Sequence, residues 1–219
     1  MAQLQPLDRR RWTGLWNRLG AQGDGLSVLS GLEAAYAKPD RAYHTAGHIR
    51  DCLAQFDLCP QIATRPDEVE AGIWFHDAVY QPGASDNEGL SARLVGTSLA
   101  GAGASLEVAH RIAKLVLATQ HLSIPEEPDA ALLCDIDLSI LGRTPAVVDE
   151  FERRIRQEYA WVPEPVYRSG RTRILEGFLK RRSIFQTDFF RDRYEVPARA
   201  NLARILKELT PDPLGRFDA

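Results

Sequence analysis

The chain has 219 residues, 44% of them hydrophobic, and carries 27 basic against 30 acidic side chains for a formal net charge of −3. This length and apolar content suffice for one domain with a sizeable core, whereas the acidic balance argues against general nucleic-acid binding. Apolar stretches are short and residues 1–11 lack the apolar core of a secretory leader, so we expect a cytoplasmic protein with no membrane partner.

Apolar residues recur at helical spacing along almost the whole chain, and alternating strand-like stretches are missing, so the sequence predicts an all-α fold. The first helix presents an apolar face from Trp12 to Leu19. A second helix with an apolar face over residues 26–36 ends before Pro39. Thr45 is predicted to cap a third helix that has His48 in its first turn.

A fourth predicted helix begins at Pro66 and continues through His76 and Asp77 to Pro82-Gly83, and residues 86–88 open the next one. The remaining predicted helices cover about 106–120, about 130–141 and the stretch from Pro145 onwards, where Thr144 is the cap. We predict a single helical domain over residues 1–219, with core motifs in about 40–142 and Arg-rich C-terminal helices over 145–210.

The cysteines and the distribution of charge bear on which kinds of site the chain can contain. Cys52, Cys59 and Cys134 are odd in number and lack Cys-x-x-Cys spacing, which indicates buried free thiols. Residues 1–150 hold 12 basic and 20 acidic side chains, whereas residues 151–219 hold 15 and 10. The C-terminal part is therefore where contacts to an anionic substrate are expected.

A charged pair, His76-Asp77, interrupts the apolar run of residues 73–80. On a continuous helix Asp77 shares a face with Ile73, Trp74 and Tyr80, so its carboxylate is predicted to face the core. A buried carboxylate needs a partner, and a metal ion is a strong one.

Two aspartates near the middle of the chain, Asp135 and Asp137, are separated by helical geometry, because two-residue spacing turns them to nearly opposite sides. Asp137 shares a stripe with Leu133 and the pair Ile140-Leu141. We therefore expect Asp137 to be the buried one and the better metal ligand.

Three predicted helices can bring two imidazoles and two carboxylates to one divalent cation. These are the side chains of His48, His76, Asp77 and Asp137. Such a set leaves coordination positions open, where bound water becomes a nucleophile near neutral pH. The alternative is that a histidine at a helix start is held structurally and binds no metal.

The order of these residues resembles that of the metal-dependent phosphohydrolases of the HD superfamily, in which a distant His precedes an adjacent His-Asp pair and a late Asp. The resemblance is closer to a small group of predicted HD phosphohydrolases of about this length. It rests on five segments: Tyr43-His44-x-x-x-His48, Phe75-His76-Asp77-x-Val79-Tyr80, Asn87-Glu88, Asp135-x-Asp137-Leu138 and the run Ile155-Arg156-Gln157-Glu158-Tyr159.

The resemblance implies an HD-type helical bundle with His48 as the first ligand, His76-Asp77 as the defining pair and Asp137 as the closing ligand. It implies hydrolysis of a phosphate ester, such as a nucleotide or another small phosphorylated metabolite, through metal-bound hydroxide. The cofactor would be one divalent ion, either Mn, Ni, Co, Mg, Zn or Fe. The substrate itself is not given by the resemblance.

The catalytic candidates are Asp77 and Glu88. Many HD enzymes place an acidic residue after the pair to handle a proton, so Glu88 can orient or deprotonate the attacking water. The alternative is that residues 86–88 only cap the next helix, and Asn87 is accordingly a candidate for substrate contact or for capping.

Of the five histidines, three are left over. His44 and His121 are candidates for contact with substrate phosphate or for proton donation, whereas His110 is structural or exposed. Because a dinuclear HD centre needs additional histidines, this supply favours a mononuclear one.

Arginine makes up 23 of the 27 basic residues and suits bidentate contact with phosphate. Arg156 and Arg171 are the candidates for substrate contact from the positive C-terminal part. An Arg-carboxylate pair between helices explains each of them as well.

Two other classes of function compete with a hydrolase. The first is a regulatory module that binds metal or nucleotide without turning it over, and the second is a di-iron oxygenase. The sequence leaves the oligomeric state open, a homo-oligomer included.

Overall fold

The computed structural model describes residues 7–210, and the regular secondary structure in this range is all helical, with ten α-helices and no strand. The predicted all-α fold is thus confirmed. The helices are α1 (Arg9–Arg18), α2 (Leu26–Tyr36), α3 (Ala46–Phe56), α4 (Pro66–Phe75), α5 (Asn87–Gly101), α6 (Leu106–Ala118), α7 (Pro128–Leu138), α8 (Pro145–Glu158), α9 (Glu164–Lys180) and α10 (Asp188–Leu209). Short 3-10 turns cover Pro60–Ile62 and Ser139–Gly142. Residues 1–6, which belong to the segment used to predict the absence of a leader, lie outside the described range.

The described chain forms two compact units, residues 7–137 and residues 138–210. The first unit contains α1 to α6 and nearly all of α7, and the second contains α8 to α10. The assignment of residues 1–219 to one HD-type domain stays a prediction. No helix within residues 7–210 is long and apolar enough to cross a membrane.

An aromatic cluster forms the core of the first unit and fixes α1 against α4. The Trp12 ring lies 5.4 Å from Trp16, 5.1 Å from Trp74 and 5.9 Å from Phe75, measured between centroids. The Trp12 Nε1–H donates to the carbonyl of Gly25 at 2.9 Å, so the buried indole is satisfied. This cluster anchors the helix that ends at His76.

The start of α3 follows the predicted capping. Thr45 is the N-cap, and its Oγ1 accepts a hydrogen bond of 3.2 Å from the Gly47 N–H. His48 therefore lies in the first turn, where its backbone is fixed by the cap.

The end of α4 differs from the prediction, because the helix stops at Phe75 instead of continuing to Pro82. Pro82 disfavours helical backbone at Gln81 and has no N–H to donate to the Ala78 carbonyl. The carbonyls of Asp77 and Ala78 accept from the Arg41 guanidinium instead of from a further helical turn. The Gln81 N–H instead donates to Asn87 Oδ1 at 3.0 Å. The prediction that Asp77 lies on a helical stripe is wrong, and a turn positions this residue.

The second unit has a core of its own, to which α9 contributes Leu175, and α10 contributes Phe190 and Leu202. The amide of Asn201 on α10 donates to the carbonyls of Leu141 and Arg143, both at 2.9 Å. These bonds fix the 3-10 turn before α8 against α10.

Candidate metal centre

The two histidines of the predicted metal set meet in the first unit. His48 is 4% exposed and His76 is 2% exposed, and their Nε2 atoms lie 3.0 Å apart. The Nδ1 atom of His76 is 2.9 Å from the carbonyl oxygen of Ile73. Because a carbonyl only accepts, this Nδ1 carries a proton, so Nε2 is the atom of His76 that faces the cluster and that can bind a cation once it is deprotonated.

Two carboxylate oxygens complete the group. Asp77 Oδ2 lies 3.0 Å from His76 Nε2 and 3.4 Å from His48 Nε2. Asp137 Oδ1 lies 3.1 Å from His48 Nε2 and 3.6 Å from His76 Nε2. The turn after α4 and the end of α7 thus bring both aspartates to the same pair of imidazoles.

The spacing of these four atoms fits a cation. Donor atoms held about 2.1 Å from a metal ion lie about 3.0 Å apart at octahedral angles and about 3.4 Å apart at tetrahedral angles. The five separations that involve a histidine Nε2 atom run from 3.0 to 3.6 Å and cover that range. One Nε2–H donated from one ring to the other also accounts for their 3.0 Å separation. The case for a cation therefore rests on the convergence of two carboxylate oxygens on the same pair of imidazoles.

Charge in the buried group is balanced between the rings and the carboxylates. Burial alone would lower the pKa of His76, but Asp77 and Asp137 raise that pKa well above its usual value. Burial would raise the pKa of Asp77, yet His76 and His44 lower it far below the usual range. The pKa of Asp137 is also well below normal, because hydrogen bonds from His121, His48 and His76 outweigh burial. Both aspartates are therefore ionised, which is the form in which a carboxylate binds a cation.

Cys52 belongs to the same buried cluster, which the sequence did not indicate. The cluster of His48, Cys52, His76 and Asp137 can hold a metal ion, since one donor atom from each lies within 4.8 Å of the others. The Cys52 Sγ atom is 3.7 Å from both ring nitrogens of His48. Burial, and then the charge on Asp137, raises the pKa of this thiol well above normal. Its place one helical turn after His48 was the available signal.

Arg41 is a second residue that sequence reasoning missed. Its guanidinium donates to the Asp77 carbonyl at 2.7 Å, to the Ala78 carbonyl at 3.0 Å and to the His44 carbonyl at 3.1 Å. The residue is 6% exposed, and its charge lies over the rings of Tyr36 and Tyr80. Arg41 therefore holds the turn that carries Asp77. No sequence motif marks it, because its hydrogen-bond partners are backbone carbonyls.

His44 and His121 both lie beside the cluster. The His44 ring stacks on Tyr80 with centroids 4.0 Å apart, and lies 6.1 Å from the ring of His48. The Nε2 atom of His121 is 2.8 Å from Asp137 Oδ2. His110, by contrast, is exposed on α6, in agreement with its predicted structural or surface role.

Asn87 and Glu88 begin α5 and differ in their surroundings. Asn87 is buried and bonds through both amide atoms to the Gln81 backbone, at 3.0 and 3.1 Å, so it holds the preceding loop. Glu88 is half-buried. Burial raises the pKa of Glu88, and the carboxylates of Asp77 and Asp137 raise it further, which places the residue in the electric field of the cluster.

Arg156 and Arg171 form local contacts in the second unit. The Nε atom of Arg156 donates to Glu164 at 3.0 Å, and its Nη1 donates to the Tyr159 carbonyl at 2.6 Å. Arg171 forms a bidentate pair with Glu152, in which its Nε donates at 2.9 Å. These are the Arg-carboxylate pairs that the sequence had left as the alternative to phosphate contact.

The reason given for choosing Asp137 over Asp135 is wrong. Asp135 is 1% exposed, whereas the side chain of Asp137 is 19% exposed. Helix α7 has buried apolar residues on all sides, including Leu132, Leu133 and Ile136, so no single stripe faces the core. Asp137 is nevertheless the aspartate whose oxygen lies beside the two histidines.

Comparisons with known proteins place the chain in no family: a scan against family models, a search of curated proteins and a search of solved structures found no match.

Proposed function

We propose that the chain is a metal-dependent phosphohydrolase that acts on a nucleotide or another small phosphorylated metabolite. The observation that carries the proposal is that Asp77 Oδ2 and Asp137 Oδ1 each lie 3.0 to 3.6 Å from the Nε2 atoms of His48 and His76, which are 3.0 Å apart. The HD-type order of these residues in the sequence supports the same reading. The cation would be one of Mn, Ni, Co, Mg, Zn or Fe.

The four side chains would hold the ion with two neutral imidazoles and two carboxylates. The carboxylates offset the charge of a divalent ion, and four donors leave coordination positions open for water and substrate. A divalent cation bound in such a set lowers the pKa of coordinated water and polarises a phosphoryl oxygen. Arg41 would keep the Asp77 turn in place through its bonds to the Asp77 and Ala78 carbonyls.

Glu88 is the residue to which we assign proton transfer. A general base works best when its pKa lies close to the working pH, and burial of Glu88 raises its pKa in that direction. A non-catalytic module would be favoured by a Glu88 that faces solvent, and the half-buried side chain favours the hydrolase instead. His44, stacked on Tyr80, is a candidate for contact with the phosphate.

A screen for metal-dependent turnover tests the proposal. Metal-depleted protein is supplied with Mn²⁺, Co²⁺, Ni²⁺ or Mg²⁺ and a panel of nucleotides and phosphomonoesters, and phosphate or nucleoside release is measured. We expect turnover that requires the metal, falls in Glu88→Gln and is lost in His76→Ala and Asp77→Ala. His110→Ala, which removes an exposed histidine of α6, is the matched control. The proposed metal-dependent hydrolysis would be contradicted if no metal supported turnover, or if turnover were unchanged in His76→Ala.

A further inference from the structure

His121 has an unusual backbone conformation. Among residues 7–210 it is the only non-glycine residue with a positive φ, which is 55°. A side chain in this left-handed region is strained, and such strain persists where the surrounding structure requires it. The residue follows the end of α6, where its N–H donates to the Ala118 carbonyl at 3.2 Å in a tight turn.

The turn directs the His121 ring at one oxygen of Asp137. The distance from His121 Nε2 to Asp137 Oδ2 is 2.8 Å. The other oxygen, Oδ1, lies 3.1 Å from His48 Nε2 and 3.6 Å from His76 Nε2. The two oxygens of Asp137 are therefore divided between His121 and the histidine pair.

We infer that His121 is a positioning residue that holds Asp137 in its ligating orientation, an inference that rests on the metal set of the proposed function. The terminal torsion of an aspartate is broad, so a free carboxylate can rotate and bind an ion through either or both oxygens. Donation from His121 Nε2–H to Oδ2 stops that rotation and leaves Oδ1 as the one ligating oxygen. Asp137 then occupies one coordination position, and a position stays open for substrate.

This role differs from direct contact with substrate, because the Nε2–H group of His121 is already used in holding Asp137. Partners that orient metal-ligating side chains in this way contribute substantially to affinity, and their removal weakens metal binding about 10- to 100-fold. The positive φ of His121 is part of the turn from which its ring reaches Asp137.

Calorimetric titration of metal-depleted protein with Mn²⁺ and with Ni²⁺ tests the inference without any substrate. We expect His121→Ala to raise the dissociation constant about 10- to 100-fold, as removal of an orienting partner does. His121→Gly should weaken binding similarly although it relieves the backbone, because the ring is what matters. His121→Gln should bind as the unaltered protein does, since its amide N–H has a similar reach. His110→Ala controls for the loss of a histidine from the same region, and circular dichroism checks that each variant is folded.

Four results would overturn the inference. If His121→Ala and His121→Gly bind the metal as tightly as the unaltered protein, His121 does not position Asp137, although the metal site itself is supported. Equal weakening in His121→Gln and His121→Ala would show that the donated hydrogen bond is not what matters. A fall from two bound ions to one in His121→Ala would make His121 a ligand of a second ion. Failure of the unaltered protein to bind either ion would remove the metal site of the proposed function as well.

Discussion

The guanidinium of Arg41 donates a 2.7 Å hydrogen bond to the backbone carbonyl of Asp77, so the residue that ends the His-Asp pair is held through its main chain. The same guanidinium donates to the Ala78 carbonyl at 3.0 Å. These carbonyls follow the end of α4, where a positive charge is favourable. Arg41 thus connects the stability of the fold to the geometry of the candidate centre.

Replacement of Arg41 by methionine should therefore lower the stability of the fold and weaken metal binding at the candidate centre. Arg41→Met keeps the volume of the side chain but leaves buried carbonyls without a donor, which we expect to lower the free energy of unfolding by about 2–3 kcal/mol. Urea unfolding of metal-free protein measures this, and calorimetry should show weaker metal binding. Arg10→Met, at an exposed position of α1, is the control. Equal stability of the two variants would show that Arg41 does not hold the turn.

Cys52 is expected to stay outside the coordination sphere. Its Sγ atom is equidistant, at 3.7 Å, from both ring nitrogens of His48 and so lies off the lone-pair direction of Nε2. Co²⁺-loaded protein should show no sulfur-to-cobalt charge-transfer absorption in the near ultraviolet, and Cys52→Ser should keep the same number of bound ions. Cys59→Ser is the control, because the Cys59 thiol donates to the Gln55 carbonyl. A charge-transfer band that disappears only in Cys52→Ser would make the thiol a ligand.

Glu195 should make the second unit sensitive to acid. Burial raises the pKa of Glu195, but hydrogen bonds from the N–H groups of Ile184 and Phe185 outweigh it, and the pKa of this carboxylate ends below its usual value. The stabilisation is therefore complete above the ordinary pKa of about 4.3, and is lost as the pH falls through the lower pKa of the folded state.

Comparison of the wild-type protein with Glu195→Gln isolates this contribution. At pH 7 the variant should be less stable by about 1–3 kcal/mol, since a charged acceptor is lost. The difference should shrink as the pH falls below about 4, because the wild-type carboxylate then becomes protonated. Urea unfolding at several pH values checks this, and a difference that is independent of pH would contradict it.

Gly25 is required by the tryptophan cluster as well as by its own backbone. Its φ is 66°, and a Cβ atom there would lie 2.6 Å from Trp16 and 2.8 Å from Trp12. Gly20 has a similar φ of 75°, but a Cβ atom there would meet nothing within 4 Å.

The two glycines therefore form a matched pair. Gly20→Ala should cost about 1–2 kcal/mol from the left-handed backbone alone. Gly25→Ala should cost a further 1–3 kcal/mol or so from overpacking against the indoles. Thermal unfolding of both variants gives the comparison, and equal losses would exclude a packing role for Gly25.

Much of the fold was predictable because it depends on local chemistry. The apolar face from Trp12 to Leu19 and the Thr45 cap depend only on residues close to each other in sequence, and the structure has both. The end of α4 was not predicted, because the apolar period continues to Tyr80. In the structure the Asp77 carbonyl accepts from Arg41 and the Gln81 N–H donates to Asn87, so these backbone groups are bonded outside a helix.

The sequence predicted which side chains form the candidate site, but not the hydrogen bonds that hold those side chains in position. His48, His76, Asp77 and Asp137 were identified by type and order, and the structure brings their donor atoms together. The supporting contacts join residues distant in sequence, such as Arg41 to the Asp77 carbonyl. Hydrophobic periodicity does not indicate the positive φ of His121. The sequence therefore could not predict the hydrogen bond between His121 and Asp137.

Elemental analysis of the purified protein tests the central claim most directly, since the claim is that these four residues hold one divalent cation. After reconstitution and removal of excess metal, we expect one ion per chain in the unaltered protein and in His110→Ala. We expect almost none in His76→Ala or in the double variant Asp77→Ala/Asp137→Ala. An unaltered protein without metal, or variants that retain a full equivalent, would contradict the account.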